Sequence, residues 1–132
     1  MKSRAPSIAV VTGGRDVLPN AIQLFALDAA LTLYGITAVR CGGARDVDTI
    51  CYAHLGARAE LWPAAWDRLG RGAGHARNRA MLLGEPANAD CPKVCATYGT
   101  RASLLIAFPG GNGTADCIRT AAELGIEIVR IL

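Results

Sequence analysis

No apolar run in this 132-residue sequence reaches the ~18 residues of a membrane-spanning helix. The N-terminus, MKSRAPSIAVVTGG, has no signal-peptide architecture, so a cytoplasmic location without membrane attachment is expected. Lysine is scarce, with two against twelve arginines, and the net charge of +3 is an arginine excess. The charges are scattered, and no basic block or aromatic-interleaved stripe marks a nucleic-acid face, which argues against nucleic acid as the principal partner. Of the five cysteines only Cys91 and Cys95 are close in sequence, with neither a second pair nor a nearby histidine. That spacing alone does not make a zinc site, and neither a metal nor a cofactor is expected.

The length fits one domain that buries roughly two thirds of its unfolded surface. Fifteen glycines beside 52% apolar residues suit a folded chain with glycine-bearing turns and exclude a disordered one. Arginine in excess favours an anionic ligand, because the guanidinium makes bidentate contacts to phosphate or carboxylate.

Residues 7–12, SIAVVT, predict a buried first strand running into Gly13-Gly14. Pro19 is expected to open a helix carrying two apolar stripes, Ile22, Phe25, Ala29 and Leu33 on one and Leu24, Leu27, Leu31 and Tyr34 on the other. So wide an apolar face can pack on a sheet and on a partner subunit, and a homo-oligomer, dimer or tetramer, is expected. Gly35 ends this helix. Further strands are predicted at 36–40, 57–62, 103–108 and 126–131, with helices from about Arg45 to His54, over 75–84 and from Gly113 to Leu124. Residues 85–100 are the least regular stretch and read as an insertion. Strands alternating with helices predict a single α/β domain: a doubly wound, Rossmann-like, mainly parallel five-stranded sheet of order 3-2-1-4-5.

Three predicted strand ends carry glycines: Gly13-Gly14, Gly42-Gly43, and Gly110-Gly111 with Gly113. In an open parallel sheet these ends line the ligand crevice. Gly110 to Gly113, with Asn112 among them and Pro109 just before, lets the backbone turn tightly. The first N–H groups of the following helix, with the Thr114 hydroxyl, can then face an anion. The turn completes neither GxxxxGK[ST] nor GxGxxG, so neither nucleotide fingerprint applies. Arg15, Arg45 and Arg77 lie near these turns, as does Asn78. Asp16, Asp48 and Asp116 fall near the same edge, Asp116 in the first turn of a helix, where a carboxylate is favoured electrostatically and can serve structure alone. His75 offers a base or a polar contact, and Trp62 and Trp66 can stack on a base or close the core.

Taken together, TGGRD (12–16), CGGARDVDT (41–49), Trp66, GRGAGHARNRAM (70–81) and AFPGGNGTADCIRTA (107–121) form an ordered set spanning nearly the whole chain. This set resembles the YspA/YpsA-related branch of the SLOG superfamily, which includes the DprA and LOG proteins. The resemblance implies a Rossmann-like fold that binds a nucleotide or nucleotide-derived phosphosugar. LOG relatives hydrolyse the N-glycosidic bond of nucleoside 5′-monophosphates and carry PGGxGTxxE, with an upstream arginine followed by a basic residue and a later methionine. Pro109, Gly110, Gly111, Gly113 and Thr114 match that loop, and Arg77 and Met81 match the upstream element. Asn78 replaces the basic residue, and Cys117 stands where the glutamate belongs. A neutral cysteine cannot stabilise oxocarbenium character as a carboxylate does. The resemblance therefore implies nucleotide binding first. A phosphoribohydrolase-like activity, drawing on Arg77 with Asp16, Asp48 or Asp116, is an alternative. A third possibility is an assembly protein whose vestigial crevice is narrow or apolar.

Overall fold

The computed structural model describes residues 7–14, 18–42 and 47–132, apart from the side chains of residues 47 and 48. Its strands are β1 (Ile8–Thr12), β2 (Ala38–Cys41), β3 (Ala59–Leu61), β4 (Leu104–Ala107) and β5 (Glu127–Arg130). They form one sheet of order β3-β2-β1-β4-β5, and every neighbouring pair is parallel. The doubly wound order expected from the alternation is the one observed. Its physical reason is visible in β1 and β4, where every residue is buried, so both faces of the sheet need cover.

Helices supply that cover. Ala9, Val11, Val39 and Ile106 pack with Leu27 and Leu31 of α1 (Ala21–Leu33) and with Cys51 and Leu55 of α2 (Val47–Leu55). Ile8, Val10 and Leu105 point the other way. They meet Ala80 and Met81 of α4 (Ala73–Leu83) and Cys117 and Ala121 of α5 (Asn112–Glu123). The period of two along a strand thus divides the core into two layers. A single turn, α3 (Trp66–Leu69), lies between β3 and α4.

Two local expectations change. Pro19 does not open α1. Asn20 caps it, accepting from the Gln23 N–H at 2.8 Å while Gln23 Oε1 accepts from the Asn20 N–H at 2.9 Å. This reciprocal capping box satisfies two donors that a proline start would leave to solvent. Of the two apolar stripes on α1, only Leu24, Leu27, Leu31 and Tyr34 pack on the sheet. Ile22, Phe25 and Leu33 remain 81%, 75% and 80% exposed. Gly35, at φ +63°, follows the last turn in the left-handed conformation that glycine adopts without steric cost.

Residues 85–100 contain one turn of 3-10 helix (Pro86–Asn88) and otherwise turns and bends. What fixes them is Arg40 on β2, a fully buried arginine. Its Nη1 donates to the Met81 carbonyl at 2.6 Å, and its Nη2 donates to the carbonyls of Thr97 at 2.6 Å and Thr100 at 2.8 Å. The guanidinium lies 4.7 Å from the Trp62 ring centroid and its Nε 3.7 Å from Glu60. Burial lowers the Arg40 pKa below its ordinary value, and the Glu60 charge partly offsets this.

Candidate ligand crevice

The chain leaves β1 towards one face of the sheet and β4 towards the other, so a cleft opens between the two strand ends. The Gly14 N–H donates to the Pro109 carbonyl at 3.0 Å, and the Phe108 N–H donates to the Thr12 carbonyl at 2.9 Å, stitching the two exit turns together. Gly110 is obligatory in this arrangement. A Cβ there would lie 2.1 Å from Thr114 Oγ1 and 2.7 Å from the Gly14 nitrogen. Beneath it the Thr114 hydroxyl is buried and has no hydrogen-bond partner among the described residues, an uncommon state for a buried polar group. Helix α5 starts at once, with Gly111 at its N-cap and no side-chain cap. Its first N–H groups carry the positive end of the helix dipole and lack intrahelical partners.

The cleft holds roughly 720 Å³, within the range of small-molecule sites. Gly13 and Gly14 line one side and Gly110, Gly111, Asn112, Gly113 and Thr114 the other, and Met81 of α4 also lines it. α4 contributes His75, Arg77 and Asn78, α5 contributes Asp116, and Trp66 stands at the edge.

Asp116 is the polar centre of this wall. Its Oδ2 accepts from Asn78 Nδ2 at 3.1 Å, and its Oδ1 lies 2.5 Å from His75 Nδ1 and 2.6 Å from Arg119 Nη2. The side chain is 13% exposed, whereas His75 is open to solvent. Asn78 Nδ2 also reaches the Gly113 carbonyl at 3.3 Å, tying α4 to the first turn of α5. Arg77 donates from Nε to Asn78 Oδ1 at 3.1 Å and from Nη1 to the Gly42 carbonyl. A Cβ on Gly42 would fall 2.6 Å from that nitrogen, so a larger residue there would displace the Arg77 guanidinium.

Most of the residues singled out from the sequence therefore converge. Gly13, Gly14, Arg77, Asn78, Gly110, Gly111, Asn112, Gly113, Thr114 and Asp116 line one cleft. Gly42 and Pro109 do not line it and act as carbonyl anchors for Arg77 and Gly14. Arg15, Asp16, Gly43 and Arg45 lie outside the described residues, and of Asp48 only the backbone, in α2, is described. Asp116 is not in the first helical turn. Because α5 begins at Asn112, Asp116 falls in the second turn, held by side-chain partners and not by the helix end. Cys117 is fully buried in the core under the sheet and does not face the cleft. Trp62 is core and Trp66 is not, a difference that their spacing alone did not reveal.

None of the family models, curated proteins or solved structures compared with the chain matches it. Among the described residues, no group of three His, Cys, Asp or Glu side chains is placed to hold a metal ion, and no helix is long and apolar enough to cross a membrane.

Proposed function

We propose that this protein binds a nucleotide or a nucleotide-derived phosphosugar at the C-terminal edge of its sheet, with the phosphate on the Gly110–Thr114 turn. The observation that carries this reading is the convergence, on one cleft, of two glycine turns, the uncapped N-terminus of α5 and the polar wall of α4. Backbone N–H groups at a helix start suit a phosphate, and Arg77 adds positive charge to the lining of the same cleft. The ordered motifs from TGGRD to AFPGGNGTADCIRTA support membership in the YspA/YpsA-related branch of the SLOG superfamily, with the same ligand class. Calorimetric titration with AMP, ribose 5-phosphate and ADP-ribose tests the reading. Saturable binding to the wild type is expected with at least one of them. It should be lost in Gly110→Ala, whose added methyl meets Thr114 and Gly14, and a melting curve should show that variant to be folded. Absence of binding across the panel overturns the reading.

A hydrolytic reading is favoured by one observation, the His75–Asp116 pair inside the cleft. There a carboxylate and an imidazole stand in the polar wall although Cys117 has replaced the relatives' glutamate. A carboxylate so placed can stabilise developing positive charge on a sugar, and the imidazole can carry a proton. His75, Asn78 and Asp116 on the cleft wall favour a ligand site over the assembly reading with a vestigial crevice. The exposed stripe on α1 supports a homo-oligomer alongside ligand binding.

A further inference from the structure

The two tryptophans have opposite surroundings. Trp62 is fully buried, lies under the Arg40 guanidinium and meets the Tyr98 ring edge-on at 5.4 Å between centroids. Trp66, four residues on, is 51% exposed and lies at the rim of the cleft. A ring of this size left half in water forgoes a large burial that a flat ligand group would supply.

Its position is also fixed before any ligand arrives. Trp66 begins the single turn α3, and Arg68 of that turn is tied down four times. Its Nη2 donates to the carbonyls of Ala87 and Ala89, each at 3.2 Å, and to Asp90 Oδ1 at 3.0 Å, while its Nε donates to the same oxygen at 3.2 Å. On the other side the ring lies over the first turn of α4, where its Cη2 is 3.4 Å from the position a Cβ on Gly74 would take. Even a methyl at 74 would meet the indole only in ordinary van der Waals contact, so the ring lies against the helix without a clash. A side chain anchored in this way loses little conformational entropy on binding.

We propose that Trp66 is the stacking platform for a planar base, so that the cleft selects nucleoside phosphates over sugar phosphates that lack a base. The inference rests on the ligand reading above and adds the part of the ligand that the glycine turn cannot recognise. The turn and the start of α5 match an anion, and the indole at the rim matches an apolar, flat group at the other end of the same molecule. A nucleoside monophosphate has both ends, whereas ribose 5-phosphate has only the first.

Titration of the wild type, Trp66→Ala, Trp66→Leu and Trp66→Phe with AMP, GMP, CMP and ribose 5-phosphate decides the matter. The wild type should bind AMP roughly tenfold or more tightly than ribose 5-phosphate, and Trp66→Ala and Trp66→Leu should remove that preference while leaving ribose 5-phosphate within about twofold. Trp66→Phe should retain part of it, since a smaller ring still stacks. Indole fluorescence gives a second readout, because AMP should quench the exposed Trp66 and the signal should vanish in the Phe variant, which keeps only the buried Trp62. Equal affinity of the wild type for AMP and ribose 5-phosphate overturns the inference and leaves the phosphate site standing. So does an equal loss of both ligands in Trp66→Ala with an unchanged melting temperature. Failure of every ligand to bind the wild type overturns the ligand reading itself, and the platform with it.

Discussion

At the scale of single residues, Asp116 and Cys117 show how one step along a helix divides two roles. Neighbours on a helix point about 100° apart. Cys117 therefore turns into the core beside Ile8 and Val10, while Asp116 turns into the cleft, to His75 and Asn78. If the cleft cleaves a glycosidic bond, Asp116 is the carboxylate available among the described lining residues. Incubation with AMP followed by chromatography for free adenine tests this. Base release by the wild type should fall on the order of 10²–10³-fold in Asp116→Asn, which keeps the shape and removes the charge. His75→Gln should lower it, because it removes the imidazole that can carry the proton beside Asp116. No release by the wild type removes the hydrolytic reading and leaves binding intact. The glycines, Arg77 and Asp116 could each be named from the sequence because strand ends and turn residues mark the crevice. The His75–Asp116 contact could not, since it joins two helices whose relative placement depends on packing against the sheet.

At the scale of elements, α1 shows where periodicity runs out. Both of its stripes are apolar, and hydropathy alone does not say which one meets the sheet. The answer comes from the strands, whose buried Val11, Val39 and Ile106 accept Leu27 and Leu31. The other stripe, with Leu18 at 66% exposure, then faces outward. Asp28 is the only charged residue in α1, and His54 of α2 takes it at 3.0 Å. Leu18, Ile22, Phe25 and Leu33 offer on the order of 500 Å² of apolar surface, approaching the roughly 800 Å² per partner of a stable interface once the flanking helix surface is counted. Within α1 the spacing of Ile22, Phe25 and Ala29 is that of a helix-pairing seam. Sedimentation should show a dimer or higher oligomer for the wild type. Ile22→Glu and Phe25→Glu should shift it to monomer with the subunit fold unchanged, because both side chains are exposed in the single chain. A monomer at all concentrations would mean that the stripe serves some other surface.

At the scale of the whole molecule, the sheet order was legible because unbroken apolar runs separated by helical stretches admit few right-handed arrangements. The role of residues 85–100 was not, because it depends on one buried charge. Arg40 looks in the sequence like the polar end of a strand. In the fold it is fully buried and links β2 to the end of α4 through Met81, and to the irregular segment through Thr97 and Thr100. Glu60 of β3 completes the link, accepting from Thr97 Oγ1 at 2.6 Å and from Trp62 Nε1 at 3.3 Å. Most of the segment is exposed, but Ala89 and Thr97 are buried and the guanidinium holds the Thr97 and Thr100 carbonyls, so it is expected to act as a brace and not as a lid. Arg40→Met should therefore cost about 3–5 kcal/mol, since it removes a donor from three carbonyls and the positive charge beside the Glu60 carboxylate, which is a sizeable share of a domain's stability. The melting temperature should fall by on the order of 10 °C. Arg40→Lys should recover only part of the loss, because an ammonium cannot reach three carbonyls as a planar fork does. Denaturant unfolding followed by tryptophan fluorescence is the measurement, with Trp62 reporting from beneath the guanidinium. If Arg40→Met loses less than about 1 kcal/mol, comparable to an exposed pair, the segment is only loosely laid over the sheet. A large loss in one cooperative transition instead makes the 85–100 segment a brace that holds α3, and with it Trp66, at the rim of the cleft.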